Sequence, residues 1–289
     1  MGLEKGAVPI TAIMPHCEFP DGPINGADIL LRLERRARTC YKSEGKIKPG
    51  SDITLIKKIL KLGHISIFDH IQLSVKAIYD RSASHQQVRH RVGAAYAQES
   101  QRYCNYDNRG LQIIYNKETC MGVSLDEINE FIIDSYHEFT QSNSYALSNY
   151  PMRKKGKEWP KRLIYWLEAI FVANMKYKAL IGEKVKAEDA RSVLPNATKT
   201  EVDITYDLTE WRHVFRDRAL NQFAQWQIRG CMQQALVWFA CQLPIVFDDL
   251  VMELMGKPDL VEPLFINDAW LVQMFEHANV HPETVKIAF

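Results

Sequence analysis

Along residues 26–41, apolar side chains return every three or four positions, at Ile29, Leu30, Leu33, Ala37, Cys40 and Tyr41, which predicts a helix with one buried face. A second helix is expected after Ser51 and Asp52 and should stop at Gly63, where glycine can take the left-handed turn that closes a helix. The period then falls to two. Ile71, Leu73, Val75, Ala77 and Tyr79 alternate with Gln72, Ser74, Lys76 and Ile78, and later Thr200, Val202, Ile204 and Tyr206 alternate with Glu201, Asp203 and Thr205; both read as half-buried strands. Ser124 and Glu127 have capping-box spacing ahead of Ile128, Phe131, Ile132 and Ile133, so a helix should begin there. Pro160 suits the first turn of a helix carrying Leu163, Leu167, Ile170 and Phe171. Ile228, Met232, Ala235, Leu236 and Phe239 predict one more over Gln225–Phe239, with Trp226 as core packing. Helices and one-sided strands mix without a repeating β-α-β unit. The expected fold class is therefore α+β, a mainly antiparallel sheet with helices packed on it, as a single domain over residues 1–289. Residues 261–289, with Trp270, Met274 and Phe275, read as a C-terminal extension without an assigned role.

A chain of 289 residues that is 46% apolar can bury a sizeable core, and its net charge of +1 argues against a general nucleic-acid binder. Charges interrupt the apolar residues of the N-terminal MGLEKGAVPITAIM, and no later run is long enough to span a bilayer, so a cytosolic protein without a membrane partner is expected. The cysteines at 17, 40, 104, 120, 231 and 241 lack metal or redox spacing and are expected to be reduced. No His-x-x-x-His pair supports a metal site, and there is neither a Gly-x-Gly-x-x-Gly fingerprint nor a phosphate loop. The basic run around residues 153–162 could steer an anionic substrate, although a solvated loop explains it as well.

The densest chemistry lies in RHRVGAAYAQESQRYCNY, residues 89–106, where Arg89, His90 and Arg91 precede Ser100 and Arg102. Guanidinium groups grouped this closely suit a multiply anionic ligand such as a nucleotide. The preceding DRSASHQQ predicts a short helix with Asp80 as N-cap; at helical spacing Gln86 shares a face with Arg89 and His90, while Arg91 points elsewhere, so two ligands could be touched.

Arg-His-Arg followed after eight residues by Ser100 resembles the signature of the flavin-dependent thymidylate synthases. GHISIFDH upstream and EDARSVLPNATKTEVDITYDLTEWRHVFRDRALNQFAQWQIR downstream resemble that family's other blocks, in its order, from about Gly63 to Pro244. The resemblance implies methylation of uracil C5 in dUMP, with methylenetetrahydrofolate as carbon donor and NADPH reducing bound FAD, in a homotetramer whose active sites lie between subunits. A related pyrimidine nucleotide such as UMP is the alternative substrate. It further implies that Arg218 is catalytic and contacts the uracil. Ser100, Gln101, Arg102 and Arg191 would hold the nucleotide, chiefly its phosphate, with Gln86, Gln87, Arg89, Gln98 and Glu99 also at the substrate. His64, Ser66, Arg89, His90, Arg91, Gln98, Asp207, Thr209 and His213 would face FAD. Taken singly, His64 and His90 could be core histidines and Arg218 a helix-terminal cation. The sequence departs from the family pattern at Ala94 and Ala95, at Asp207 where Asn is common, and at Gln227 where Glu is usual. No Pro-Cys nucleophile motif is present, which favours the flavin route.

Overall fold

The computed structural model describes residues 10–141, 153–154 and 157–277. In chain order these form β1 (Ile10–Ile13), β2 (His16–Glu18), α1 (Gly26–Tyr41), α2 (Ser51–Leu62), β3 (Gln72–Asp80), α3 (Arg81–Gln87), β4 (Ala95–Gln98) and α4 (Tyr106–Arg109). There follow β5 (Leu111–Ile114), α5 (Leu125–Gln141), β6 (Arg153–Lys154), β7 (Lys157–Glu158), α6 (Lys161–Gly182), α7 (Ala187–Ala190) and β8 (Lys199–Asp207). The chain continues through α8 (Leu208–Val214), α9 (Trp226–Gln242), α10 (Pro244–Met255) and α11 (Asp268–His277). Both compact units are discontinuous in sequence: one comprises residues 1–15, 79–82 and 98–200, the other 16–78, 83–97 and 201–289.

In the first unit, β1 and β5 run parallel from the Ile10–Leu111 pair to the Ile13–Ile114 pair. The Asn129 side chain of α5 accepts from the Ala12 amide at 2.8 Å and donates to the Ala12 carbonyl at 3.0 Å, tying the helix to β1. The capping box forms as expected, Ser124 N–H donating to Glu127 Oε2 at 2.8 Å and Glu127 N–H to Ser124 Oγ at 3.3 Å. Leu163, Leu167, Ile170 and Phe171 are buried on α6, with Pro160 standing just before its first turn. Phe171 meets Tyr136 and Phe139 of α5 edge-on. Within the basic stretch β6 and β7 pair antiparallel, Arg153 opposite Glu158 and Lys154 opposite Lys157. Residues 1–9 and 151–152, and the side chains of Met274 and Phe275, lie outside the described residues.

Most residues of the four-stranded sheet, ordered β2, β3, β8, β4, belong to the second unit, and β2 pairs antiparallel with β3. Val202, Ile204 and Tyr206 are fully buried on β8, whereas Asp203 is exposed, the face alternation that the sequence predicts. Beside them Trp211 is sealed between the rings of Tyr206, Phe215 and Phe239. Ile29, Leu30, Leu33 and Ala37 form the buried stripe of α1, while Cys40 and Tyr41 at its end are exposed. Gly63 closes α2 with φ of 70°.

Helix α9 departs from the expectation of a one-sided stripe. Nearly every residue from Gln227 to Cys241 is buried, including Gln233 and Gln234. The extension beyond residue 260 accounts for part of that burial: the Phe265 ring lies where a Cβ on Gly230 would stand, 2.1 Å from the nearest ring atom, and packs edge-on to Trp226. Among the described residues, no helix is long and apolar enough to cross a membrane.

Candidate functional site

In the second unit the site is built where β8 gives way to α8. Asp207 ends the strand and caps the helix, its Oδ1 accepting the Glu210 amide at 2.7 Å. Burial pushes the Asp207 carboxyl above its ordinary pKa, although the amide hydrogen bonds oppose that shift. One turn apart on α8 stand Glu210 and His213; the helix then passes into a π-turn over Phe215–Ala219. Such an insertion rotates the later residues away from their α-helical positions, and it carries Arg218.

Arg218 Nε donates to His90 Nε2 at 2.9 Å. Accepting from a guanidinium requires a lone pair on Nε2, so the ring proton belongs on Nδ1, which faces Glu210 Oε1 at 3.7 Å. His90 is only 7% exposed. Burial first, and then the positive charge of Arg218, lower its pKa to about 4, so the ring is neutral near pH 7. Glu210 is shifted upward, chiefly by burial. The backbone around His90 is pinned by Tyr96, whose hydroxyl donates to the carbonyls of Gln87 and His90 and touches the Tyr206 hydroxyl.

Arg89 and Arg91 flank this histidine, are exposed, and have neither ion pair nor hydrogen bond among the described residues. Gln86 is half-buried, whereas Gln87 is turned inward, fully buried, with Nε2 donating to Tyr206 OH at 2.7 Å. At Gly93, φ is +57° and a Cβ would come within 2.1 Å of Asp207 Oδ2, so only glycine fits. His64 and Ser66 are exposed, with His64 Nδ1 3.0 Å from Tyr41 OH. Thr209 donates to Asp69 Oδ1 at 2.6 Å, and His213 lies 3.5 Å from Asp217.

The first unit gathers a different set. Arg102 Nε donates to the Glu188 carboxylate at 3.1 Å and Arg191 Nε to the Glu188 backbone carbonyl at 2.9 Å, so two cations meet at one residue. Ser100 Oγ accepts the Arg102 amide at 3.3 Å, and Gln101 is buried. Glu99 receives Tyr106 OH at 3.0 Å and lies 3.3 Å from Lys199 Nζ; Arg81 holds the Glu99 carbonyl at 3.2 Å. Gln98 Nε2 donates to Thr200 Oγ1 at 3.1 Å. Sequence reasoning assigned no role to Arg81, Lys199 or Glu188, although Glu188 and Lys199 lie within the block that begins EDARSVLP.

His90, Glu210 and His213 present ligand atoms within 4.8 Å of one another and could hold a metal ion. Spacing gave only a partial sign, Glu210-x-x-His213, because the third member is remote in sequence. A cation on His90 Nδ1 would require a proton on Nε2, opposite the Arg218 donor. The Arg218 contact and metal binding are therefore mutually exclusive.

Residues 29–245 match the family model described as thymidylate synthase complementing protein. The chain belongs to the flavin-dependent thymidylate synthase family. The flavin-dependent thymidylate synthase of Geobacter sulfurreducens is 31% identical over 246 residues, covering 82% of this chain and 85% of that protein. That of Mycobacterium tuberculosis H37Rv is 29% identical over 221 residues, covering 75% and 78%. Among solved structures, a UMP/dUMP methylase of Streptomyces cacaoi bound with 5-Br dUMP shares the fold, with a TM-score of 0.59 and 17% identity over 84% of this chain and 97% of its own. Its complex with 5-Br UMP gives 0.56 over 88% and 100%, at the same identity. Family membership makes this chain a methyltransferase-class enzyme.

For this flavin-dependent synthase the neutral His90 predicts a pH dependence of stability. Its folded-state pKa lies below the unfolded value, so between pH 6.5 and about 4 the unfolded chain binds the additional proton. The stability associated with the neutral ring is complete above pH 6.5 and lost as pH falls through that window. Thermal unfolding of the parent should show this slope, and His90→Gln should flatten it; an unchanged slope would contradict a buried neutral ring.

Proposed function

We propose that the protein converts dUMP to dTMP, taking the one-carbon unit from methylenetetrahydrofolate and reducing equivalents from NADPH through bound FAD. The observation that carries this reading is the contact between Arg218 and neutral His90. It fixes one edge of the guanidinium, and among the described residues the two terminal nitrogens have no partner. A guanidinium stays protonated near neutral pH and so does not act as a base; its chemistry is to hold negative charge developing on the pyrimidine oxygens. The thiols support the same route. Burial pushes Cys241 up to about 12 and raises Cys120 as well, which keeps both from being thiolate nucleophiles.

Ser100, Gln101, Arg102 and Arg191 would take the phosphate, Glu188 holding the two arginines until the anion replaces it. Gln86, Gln87, Gln98 and Glu99 complete the substrate set in this reading. FAD, when bound, supplies hydride chemistry. Exposed, unpaired Arg89 and Arg91 fit the charge of a dinucleotide's phosphates. His64, Ser66, Asp207, Thr209 and His213 would surround the rest of it. The assembly would be a homotetramer with shared active sites, and six free cysteines suit a cytosolic setting.

Anaerobic incubation with dUMP, methylenetetrahydrofolate and NADPH should give dTMP and tetrahydrofolate, with UMP as a parallel substrate. Stoichiometric dihydrofolate, or methylation of UMP alone, would overturn the assignment. Arg89→Ala should weaken FAD binding by about 1.5 to 3 kcal/mol, the worth of a hydrogen bond to a charged group, as read by equilibrium dialysis.

A further inference from the structure

We propose that the C-terminal extension is a clamp that positions Arg218, acting through Gln233; this rests on the role for Arg218 proposed above. Gln233 is fully buried on α9. Its Nε2 donates to the carbonyl of Ala219, the residue after Arg218, and to that of Leu260, both at 3.0 Å. Its Oε1 accepts the Glu262 amide at 2.9 Å. Two carbonyls demand donors and one amide demands an acceptor, so the orientation of the Gln233 amide is fixed by its partners.

A second bond set runs in parallel. Glu262, itself buried, accepts from Arg229 Nη2, while Arg229 Nη1 donates to the carbonyls of Gln222 at 3.0 Å and Ala224 at 2.8 Å. Leu260 and Glu262, at the start of the extension, thus act through Gln233 and Arg229 on both ends of the turn that follows Arg218. The π-turn needs such support, since its terminal carbonyls have lost the regular helical ladder. These extension residues lie beyond residue 245, where the matched family region ends. Gln233 and Glu262 are positioning residues: they approach the substrate only through Arg218.

The test combines hydrogen exchange with a double-mutant cycle on the full-length, FAD-loaded protein. Gln233→Met keeps the volume and removes all three hydrogen bonds. It should speed amide exchange over residues 215–224, where Leu220 N–H bonds Phe215 O at 3.0 Å. It should also slow single-turnover flavin reoxidation about tenfold, within the range expected when a catalytic group is displaced from its productive geometry. dUMP affinity should stay within about twofold of the parent, an uncoupled ground-state contact. On an Arg218→Ala background the same change should have almost no further effect on rate. Multiplicative effects, or unchanged exchange over 215–224, would overturn the clamp. Parent-like turnover in Arg218→Ala alone would instead defeat the role given to Arg218. Should Gln233→Met fail to fold, the neutralised pair Arg229→Met with Glu262→Leu serves the same cycle, because it removes the second bond set without leaving a buried charge unpaired.

Discussion

Arg218→Ala should lose on the order of a hundredfold or more in single-turnover rate, as removal of one oxyanion-type donor does, while nucleotide affinity changes far less. The asymmetry follows from when the contact matters. In the proposed reaction charge would reach the uracil oxygens only as the new bond forms at C5, so the guanidinium would interact most strongly in the transition state. Ser100 is placed differently, its hydroxyl held by the Arg102 amide beside two arginines. Ser100→Ala should therefore keep measurable turnover with weaker dUMP binding. Arg218→Lys should rescue little, because an ammonium cannot bond His90 and still present a planar pair of donors. Flavin oxidation at saturating dUMP and methylenetetrahydrofolate decides the matter. A dead Ser100→Ala beside a parent-like Arg218→Ala would reverse the assignment of roles.

Arg229→Ala should cost about 3 to 5 kcal/mol of stability, the loss expected when one partner of a buried ion pair is removed and the other stays. Glu262 is only 3% exposed, and its carboxylate would keep its burial without the guanidinium that compensates it. The neutralised pair Arg229→Met with Glu262→Leu should recover most of that loss, since apolar groups of similar volume leave no orphaned charge. Urea unfolding of both variants measures the difference. Equal destabilisation by the single and the double change would show that packing, and not the uncompensated charge, dominates.

Much of the fold was legible in the sequence wherever one local pattern sufficed. The alternation at Val202, Ile204 and Tyr206, the capping box at Ser124 and Glu127 and the stop at Gly63 each depend on neighbours within a few residues, and each forms as expected. Helix α9 misled because Gln227, Gln233 and Gln234 look like a solvated face. Gln233 and Gln234 are buried because their amides bond backbone groups from distant segments, which periodicity cannot register. The site divides in the same way. The resemblance picked out His90 and Arg218 separately, but their contact spans 128 positions, and Glu210 behind them was missed altogether. Asp207 was visible as a departure from the family pattern, and its capping of α8 is a role that a polar residue ahead of a helix should have suggested.

The wrapping of α9 also sets an order of events in synthesis. Its Gln234 accepts the Cys17 amide, 217 positions back, and donates to the Phe265 carbonyl, 31 positions ahead. Contacts of such separation close late, because the loop entropy must be met before they contribute. A ribosome that has just finished α9 therefore carries an apolar helix whose last cover has yet to emerge. Chains halted before residue 260 would expose it, making them candidates for chaperone capture and aggregation long before any catalytic deficit could be measured.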